Sequence, residues 1–310
     1  MALFVLVDIA LVVYALTVIT PPDPLVTSKT VDALASAAPT PTPVPSAVPS
    51  AAPVVPPVTP RRVLSSLNAT TAWRAATGSC PDARAMPERS TDSGATWTGF
   101  DAGGETGATA VLVITALSDS EASFVTLLAA DCTPHLMATY VAGADWDDFP
   151  LRLTGNWYVN PAEPATVHSP LGAFAAPCPA PITLAAQSDA SGAVLCPPVQ
   201  PADAAASAPM LVRTTDGGSS WTPGVAVPGA VNLAGLAGGG YVIAAAGQAG
   251  CAGVQVLTLA DAADAAPTVA GCREAAFEPG DVAIASSPGV LWLWAGAIMS
   301  TSSDGGATWP

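Results

Sequence analysis

Lysine occurs once in this 310-residue sequence, at Lys29, and histidine twice, at His135 and His168. With nine Lys and Arg residues against 24 Asp and Glu, the net charge is −15. A nucleic-acid partner needs clustered Lys and Arg to neutralise phosphates, so that class is excluded. Electrostatic docking on an anionic bilayer surface is disfavoured for the same reason. No Cys-x-x-Cys pair and no Cys/His cluster of zinc spacing is present, and Asp145-Trp146-Asp147-Asp148 lacks the glycine and terminal Glu of a calcium loop. Neither a metal nor another cofactor is therefore expected. Neither histidine falls in a recognisable nucleophile motif, which gives no support to Ser–His or Cys–His catalysis. The Ala-rich, Lys-poor bias fits a GC-rich bacterial genome and carries no functional weight.

What the chain does have is turn chemistry. Its 27 glycines and 32 prolines punctuate short apolar runs, the pattern of an all-β domain. One octad recurs: Ser90-Thr91-Asp92-Ser93-Gly94-Ala95-Thr96-Trp97, then Thr214-Thr215-Asp216-Gly217-Gly218-Ser219-Ser220-Trp221, then Ser302-Ser303-Asp304-Gly305-Gly306-Ala307-Thr308-Trp309. In the shared pattern S/T-x-D-x-G-x-x-W, the hydroxyl and the carboxylate can bond backbone N–H groups of a tight turn, and the glycine allows positive φ. The tryptophan can then pack back over the turn. A degenerate copy, Thr139-Tyr140-Val141-Ala142-Gly143-Ala144-Asp145-Trp146, keeps Thr139, Gly143 and Trp146 but places Val141 where the Asp belongs.

These octads resemble the Asp-box (BNR-type) repeats of β-propellers of the sialidase, sortilin and photosystem-II-assembly-factor types. The resemblance covers residues 61–310 and implies an all-β propeller with the boxes between the third and fourth strands of a blade. In such families the boxes occur on catalytic and non-catalytic propellers alike and lie away from the usual ligand face.

The box tryptophans supply a ruler. Trp97 to Trp146 is 49 residues, and Trp221 to Trp309 is 88, two steps of 44 with a box decayed near 260–269. Trp146 to Trp221 is 75 residues, read as one blade with a Pro/Ala-rich insertion between Pro161 and Pro209. Steps of this length match four strands per blade. About five blades are expected, or six if the insertion hides one. Because the sequence given stops at Pro310, just after its last box, the final blade should lack its outer strand or close unusually.

Upstream of the propeller, residues 2–20 form an almost unbroken apolar run, and 19 residues at 1.5 Å rise span about 30 Å, the hydrocarbon thickness of a bilayer. Residues 1–20 are read as an uncleaved transmembrane anchor, since the best small-residue cleavage site, Ala33-Leu34-Ala35, lies too far downstream for a signal peptide. Asp8 inside the run either reaches an interface or faces a partner. The cations Lys29, Arg61 and Arg62 follow the run and none precedes it, so a basic flank upstream of Met1 is expected if the propeller is extracytoplasmic. Residues 21–60, rich in Pro, Ala, Val, Thr and Ser, read as a stalk that reaches at most about 120 Å in polyproline II.

Six cysteines, Cys80, Cys132, Cys178, Cys196, Cys251 and Cys272, all fall in the propeller region, which suggests disulfides between nearest neighbours in an oxidising compartment. For catalysis the sialidase resemblance implies an arginine triad and a Tyr/Glu nucleophile pair. Arg74, Arg152 and Arg273 and the tyrosines Tyr140, Tyr158 and Tyr241 are available, but the N-terminal Arg-Ile-Pro type motif is missing. Trp157 and Tyr158, in a polar turn, are candidate ligand contacts, whereas Trp292 and Trp294 share one strand face and read as core. The expected function is a non-catalytic, membrane-tethered binding or assembly module for a surface protein or glycan. A divergent sialidase-like glycosidase is the alternative, and a propeller that only stabilises a membrane complex through Asp8 is a third reading.

Overall fold

The computed structural model describes residues 58–198, 208–262 and 264–310, so the anchor and nearly all of the stalk read above lie outside the described residues. Among the described residues no helix is long and apolar enough to cross a membrane. The domain is a six-bladed β-propeller built from six antiparallel sheets. Blade 1 comprises β1 (Arg62–Ser66), β2 (Ala72–Ala76), β3 (Glu88–Ser90) and β4 (Thr98–Gly99), and blade 2 comprises β5 (Ala108–Ala116), β6 (Ala122–Leu128), β7 (Pro134–Thr139) and β8 (Asp147–Asp148). Blade 3 has three strands, β9 (Tyr158–Val159), β10 (Thr166–Ser169) and β11 (Gly172–Ala175). Blade 4 holds β12 (Thr183–Ala186), β13 (Gly192–Cys196), β14 (Met210–Thr214) and β15 (Val225–Ala226). Blade 5 holds β16 (Ala230–Gly235), β17 (Tyr241–Ala246), β18 (Gly253–Leu259) and β19 (Thr268–Glu274), and blade 6 holds β20 (Val282–Ser287), β21 (Val290–Ala295) and β22 (Ile298–Ser302).

Of the five or six blades expected, six are present, the sixth being the one hidden in the insertion. The stretch between Trp146 and Trp221 carries two sheets, blades 3 and 4, and the tryptophan ruler passes over blade 3 because that blade has no octad and ends after three strands. The last sheet also has three strands among the described residues.

Neighbouring blades pack through their first strands: β1 lies beside β5 and β20, and β16 beside β12 and β20. Side-chain size follows radius. The largest fully buried side chains sit on second and third strands, with Trp73 on β2, Phe124 on β6, Met137 on β7, Tyr241 on β17 and Trp292 on β21, whereas the first strands bury small residues such as Ala230, Ala283 and Ala285.

Each intact octad closes the same hydrogen-bonded turn. Ser90 Oγ donates to Asp92 Oδ1 (2.8 Å) and accepts from Gly94 N (2.9 Å). The Asp92 carboxylate in turn accepts from Thr96 N (2.9 Å) and Thr96 Oγ1 (2.6 Å). Thr214/Asp216/Ser220 and Ser302/Asp304/Thr308 repeat the arrangement within 0.1 Å. The fourth and fifth positions both take positive φ: 61° and 85° at Ser93 and Gly94, 75° and 102° at Gly217 and Gly218, 73° and 94° at Gly305 and Gly306. The degenerate octad keeps this backbone, with 58° at Ala142 and 96° at Gly143, and its Thr139 Oγ1 still accepts from Gly143 N at 2.9 Å. With Val141 in place of the Asp, a carboxylate arrives from outside the turn: Glu105, on the short helix α1 (Ala102–Thr106), accepts from Trp146 N at 3.0 Å.

Every octad tryptophan packs on the blade before its own. Trp97 meets Trp292 of blade 6 edge-on at 6.4 Å, Trp146 meets Trp73 of blade 1 at 5.7 Å, and Trp221 Nε1 donates to Ala175 O of blade 3 at 3.0 Å. Trp309 joins the cluster that holds Val254 and Val256 of blade 5.

Among the described residues, blades 6 and 1 are joined by side chains and a backbone bond. Arg61 N donates to Gly280 O at 2.9 Å, and Arg61 and Arg62 both pair with Asp281, at 3.0 and 3.3 Å. Arg62 also donates to Gly296 O and lies 4.2 Å over the Trp294 ring, while Arg74 lies 4.1 Å over Trp97 and 4.5 Å over Trp294. Trp292, fully buried, donates from Nε1 to Asn68 O across the same seam. The core reading of Trp292 and Trp294 therefore agrees with their place between blades 6 and 1.

All six cysteines are paired, as Cys80–Cys132, Cys178–Cys196 and Cys251–Cys272. The first joins blade 1 to blade 2 and the second blade 3 to blade 4; the third lies within blade 5.

Replacing Arg62 by Met should destabilise the domain by about 2 kcal/mol, because carbonyl acceptors and a carboxylate in a part-buried seam lose a charged donor. Arg84→Ala, which removes only an exposed pair with Asp101, should change stability by less than about 0.5 kcal/mol. Urea denaturation of both variants checks this; equal effects would show that the seam does not hold the ring closed.

A second expectation concerns pH. Hydrogen bonds from Ser220 and Thr214 hold the Asp216 carboxyl down at about 2, below its ordinary value of 3.8. A carboxylate with a lowered folded-state pKa contributes stability above its unfolded value and loses that contribution as pH falls through the folded one. The melting-temperature deficit of Asp216→Ala should therefore be full at neutral pH and shrink as pH drops from about 4 to about 2. Thermal melts across that range test it, and a deficit independent of pH would refute it.

Candidate functional site

The catalytic candidates are not brought together. Arg74 is committed to Glu88 at 2.6 Å in the blade 1–6 seam, and Arg273 on β19 donates to Ser300 Oγ at 2.9 Å. Arg152 lies in a 3-10 turn, Pro150–Gly155, between blades 2 and 3, where it bonds Tyr140 Oη and comes within 3.5 Å of Glu121. Tyr241 is 1% exposed, and burial raises its phenol pKa far above the ordinary value; burial likewise raises that of Tyr158. Both shifts run opposite to what a tyrosine nucleophile needs. His168 stacks parallel on Tyr158 with ring centroids 4.3 Å apart, and desolvation lowers its pKa, so the imidazole is neutral at pH 7. His135 Nδ1 sits 2.8 Å from Asp148 Oδ2 on the outer strands of blade 2.

A concavity lies where the ring is irregular. β9 is two residues long, against nine in β5 and four in β12, so blade 3 leaves an opening between the first strands of blades 2 and 4. A cleft of about 630 Å³ occupies it. One wall is Val113, Thr115 and Leu117 at the end of β5, and the facing wall is Leu184 and Ala186 of β12 with the turn Gln187, Ser188 and Asp189. The 3-10 turn supplies Leu151, Arg152 and Thr154, with Asn156 and Trp157 following.

Local bonds hold these walls in place. Asn156 Nδ2 donates to Arg152 O at 2.8 Å, Gln187 Nε2 bonds Gly240 O of blade 5, and Ser188 Oγ caps the β12–β13 turn by accepting from Ser191 N at 3.0 Å. Trp157, 5% exposed, forms part of the floor, with Nε1 donating to Ser188 O at 2.9 Å and its ring against Gly192, where an added Cβ would stand 3.2 Å from it. Tyr158 points the other way, buried against Val125 and Leu136 of blade 2. Of the two predicted contacts, then, Trp157 reaches the cleft as packed floor and Tyr158 does not line it.

Leu151, Gln187, Ser188 and Asp189 carry no motif and went unremarked in the sequence; the only signal was an unusually apolar turn, Pro150-Leu151-Arg152-Leu153. Asp189 is the one carboxylate among the lining residues, whereas glycoside hydrolysis needs two about 5 to 10 Å apart. A second hollow, of about 480 Å³, lies between the octads of blades 6 and 1, and no charged side chain lines it. The cysteine pairing leaves no free thiol among the described residues, and no group of His, Cys, Asp or Glu among them could hold a metal ion.

No protein-family model and no curated protein matches the chain. Solved structures similar to it include YCF48 bound to D1 peptide, at 15% identity over 83% of each chain with a TM-score of 0.30. A GH74 xyloglucanase from Xanthomonas campestris matches at 17% identity, over 80% of this chain and 37% of that one, with a TM-score of 0.32. The Aleuria aurantia lectin in complex with a methyl fucoside matches at 12% identity, over 83% of this chain and 79% of that one, with a TM-score of 0.34. At these identities the likeness is one of propeller architecture alone.

Proposed function

We propose that this chain is a membrane-tethered, extracytoplasmic propeller of the Asp-box type whose blade 3 cleft binds a protein or glycan at the cell surface without transforming it. The observation that carries the reading is the cleft itself: it is of ligand-pocket size, and Arg152 and Asp189 are the charged side chains that line it, where glycoside hydrolysis needs a pair of carboxylates. Three disulfides that use every cysteine suit an oxidising compartment outside the cytoplasm. The apolar run at residues 2–20 would anchor the chain, and the Pro-rich residues 21–60 would hold the domain off the bilayer. The dispersal of Arg74, Arg152 and Arg273 over separate parts of the ring counts against the sialidase-like alternative.

A photo-crosslinking residue placed at Leu151, in the cleft, and separately at Val269, on blade 5, tests this in intact cells that carry the full chain. Adducts are expected from position 151 and not from 269, and purified protein should leave sialosides and xyloglucan unhydrolysed. Turnover of either glycan, or crosslinks that do not distinguish the two positions, would sink the proposal.

A further inference from the structure

Seven large hydrophobic residues are exposed among the described residues, and the blade 3 cleft holds two of them beside Val113, Leu136 and Leu184 in its lining. Leu151, 93% exposed, and Leu117, 43% exposed, line it. Water held against so much aliphatic surface is released when an apolar group covers it. A sugar is a poor cover, because pyranose faces stack on open aromatic rings. The one aromatic ring that lines the cleft, Trp157, is packed under Gly192 and has spent its N–H on Ser188.

Charge adds direction. Arg152 stands on the blade 2 side with its side chain 43% exposed; one terminal nitrogen donates to Tyr140 Oη and the other to Glu121 Oε1 at 3.5 Å, which leaves an N–H on each for a ligand. Asp189 stands on the blade 4 side, exposed, with no hydrogen-bond or ion-pair partner among the described residues. The cleft is therefore an aliphatic floor between one cation and one anion. A second copy of the chain is a poor occupant, since two molecules of net charge −15 repel.

We infer that the cleft takes a peptide segment in which a bulky apolar side chain lies between an acidic residue, directed to Arg152, and a basic residue, directed to Asp189. This deepens the binding-module reading and rests on it. The guanidinium grips the peptide carboxylate with paired N–H donors, the apolar side chain covers Leu117 and Leu151, and Asp189 sets which way the chain runs.

The test is selection of a phage-displayed random dodecapeptide library on the immobilised full chain, followed by fluorescence-anisotropy titration of the enriched peptides. Enriched sequences should share the acidic–apolar–basic pattern, and Leu151→Ser and Arg152→Glu should each weaken binding about tenfold. The double swap Arg152→Glu with Asp189→Arg should instead select the reversed charge order, a result that a merely misfolded variant could not give. No enrichment, enrichment without the pattern, or binding unchanged in both single variants would overturn the inference. Glycan-array binding that is lost in Leu151→Ser would also overturn it while leaving the binding module in place, whereas absence of any adduct at position 151 in cells would remove both.

Discussion

Six sheets set radially about one axis leave a gap between neighbours that is narrow at the centre and wide at the rim, and side-chain volume has to follow that wedge. Alanine and valine on the first strands let backbones approach near the axis, and tryptophan, tyrosine and phenylalanine on the second strands fill the wider space outside. The alanine bias of the composition is thus compatible with a well-packed core rather than a dilution of it. The octad tryptophans complete the filling. Each leaves its own blade at the turn after the third strand and lies on the preceding blade, so the repeat is stabilised between units more than within them.

The same logic explains how the ring tolerates damage to its repeat. When the octad of blade 2 lost its carboxylate, the turn kept both positive-φ positions and the Thr139 bond, and Glu105 arrived from a neighbouring helix to take the Trp146 N–H. The indole of Trp146 has no hydrogen-bond partner, yet it stays 2% exposed between Trp73 and Phe124. Packing therefore outweighs the polar contacts at that site, as expected where an aromatic ring is fully enclosed and one hydrogen bond is worth about 1 kcal/mol. Closure of the ring follows a different scheme, because blades 1 and 6 are joined by no continuous strand pairing. The guanidiniums of Arg62 and Arg74 interleave there with two indoles, and Asp281 pairs with Arg62 while Glu88 pairs with Arg74, which offsets the repulsion between them.

Much of this was legible in the sequence because it is repetitive. The octads mark third strands and the turns that follow them, and apolar runs such as Met210–Thr214 and Tyr241–Ala246 coincide with β14 and β17. Nearest-neighbour pairing of the cysteines was also readable, since Cys178 with Cys196 and Cys251 with Cys272 flank adjacent strands. Blade 3 was not, for a physical reason: it has no octad, its strands are two to four residues long, and its hairpin Thr166–Ala175 contains too few alternating residues to raise a periodic signal. The cleft was hidden with it, because its walls come from three blades and its exposed leucines read, one at a time, like ordinary core residues of short strands.

A perfect six-fold repeat would offer six equivalent interfaces and no reason for one of them to bind anything. Blade 3 breaks that equivalence. Lacking an octad, it has no tryptophan to lay on blade 2 and relies on Tyr158 against Val125 and Leu136 instead. Its boundary with blade 4 is reinforced covalently, by Cys178–Cys196, and by the Trp157–Ser188 and Trp221–Ala175 bonds. Those three links permit a short blade to persist without the ring collapsing onto it, which is what a stable concavity requires. The uncovered leucines and the oppositely charged Arg152 and Asp189 sit at this irregular sector, so a departure from the repeat that costs the fold symmetry also gives the surface a place at which one partner can be told from another.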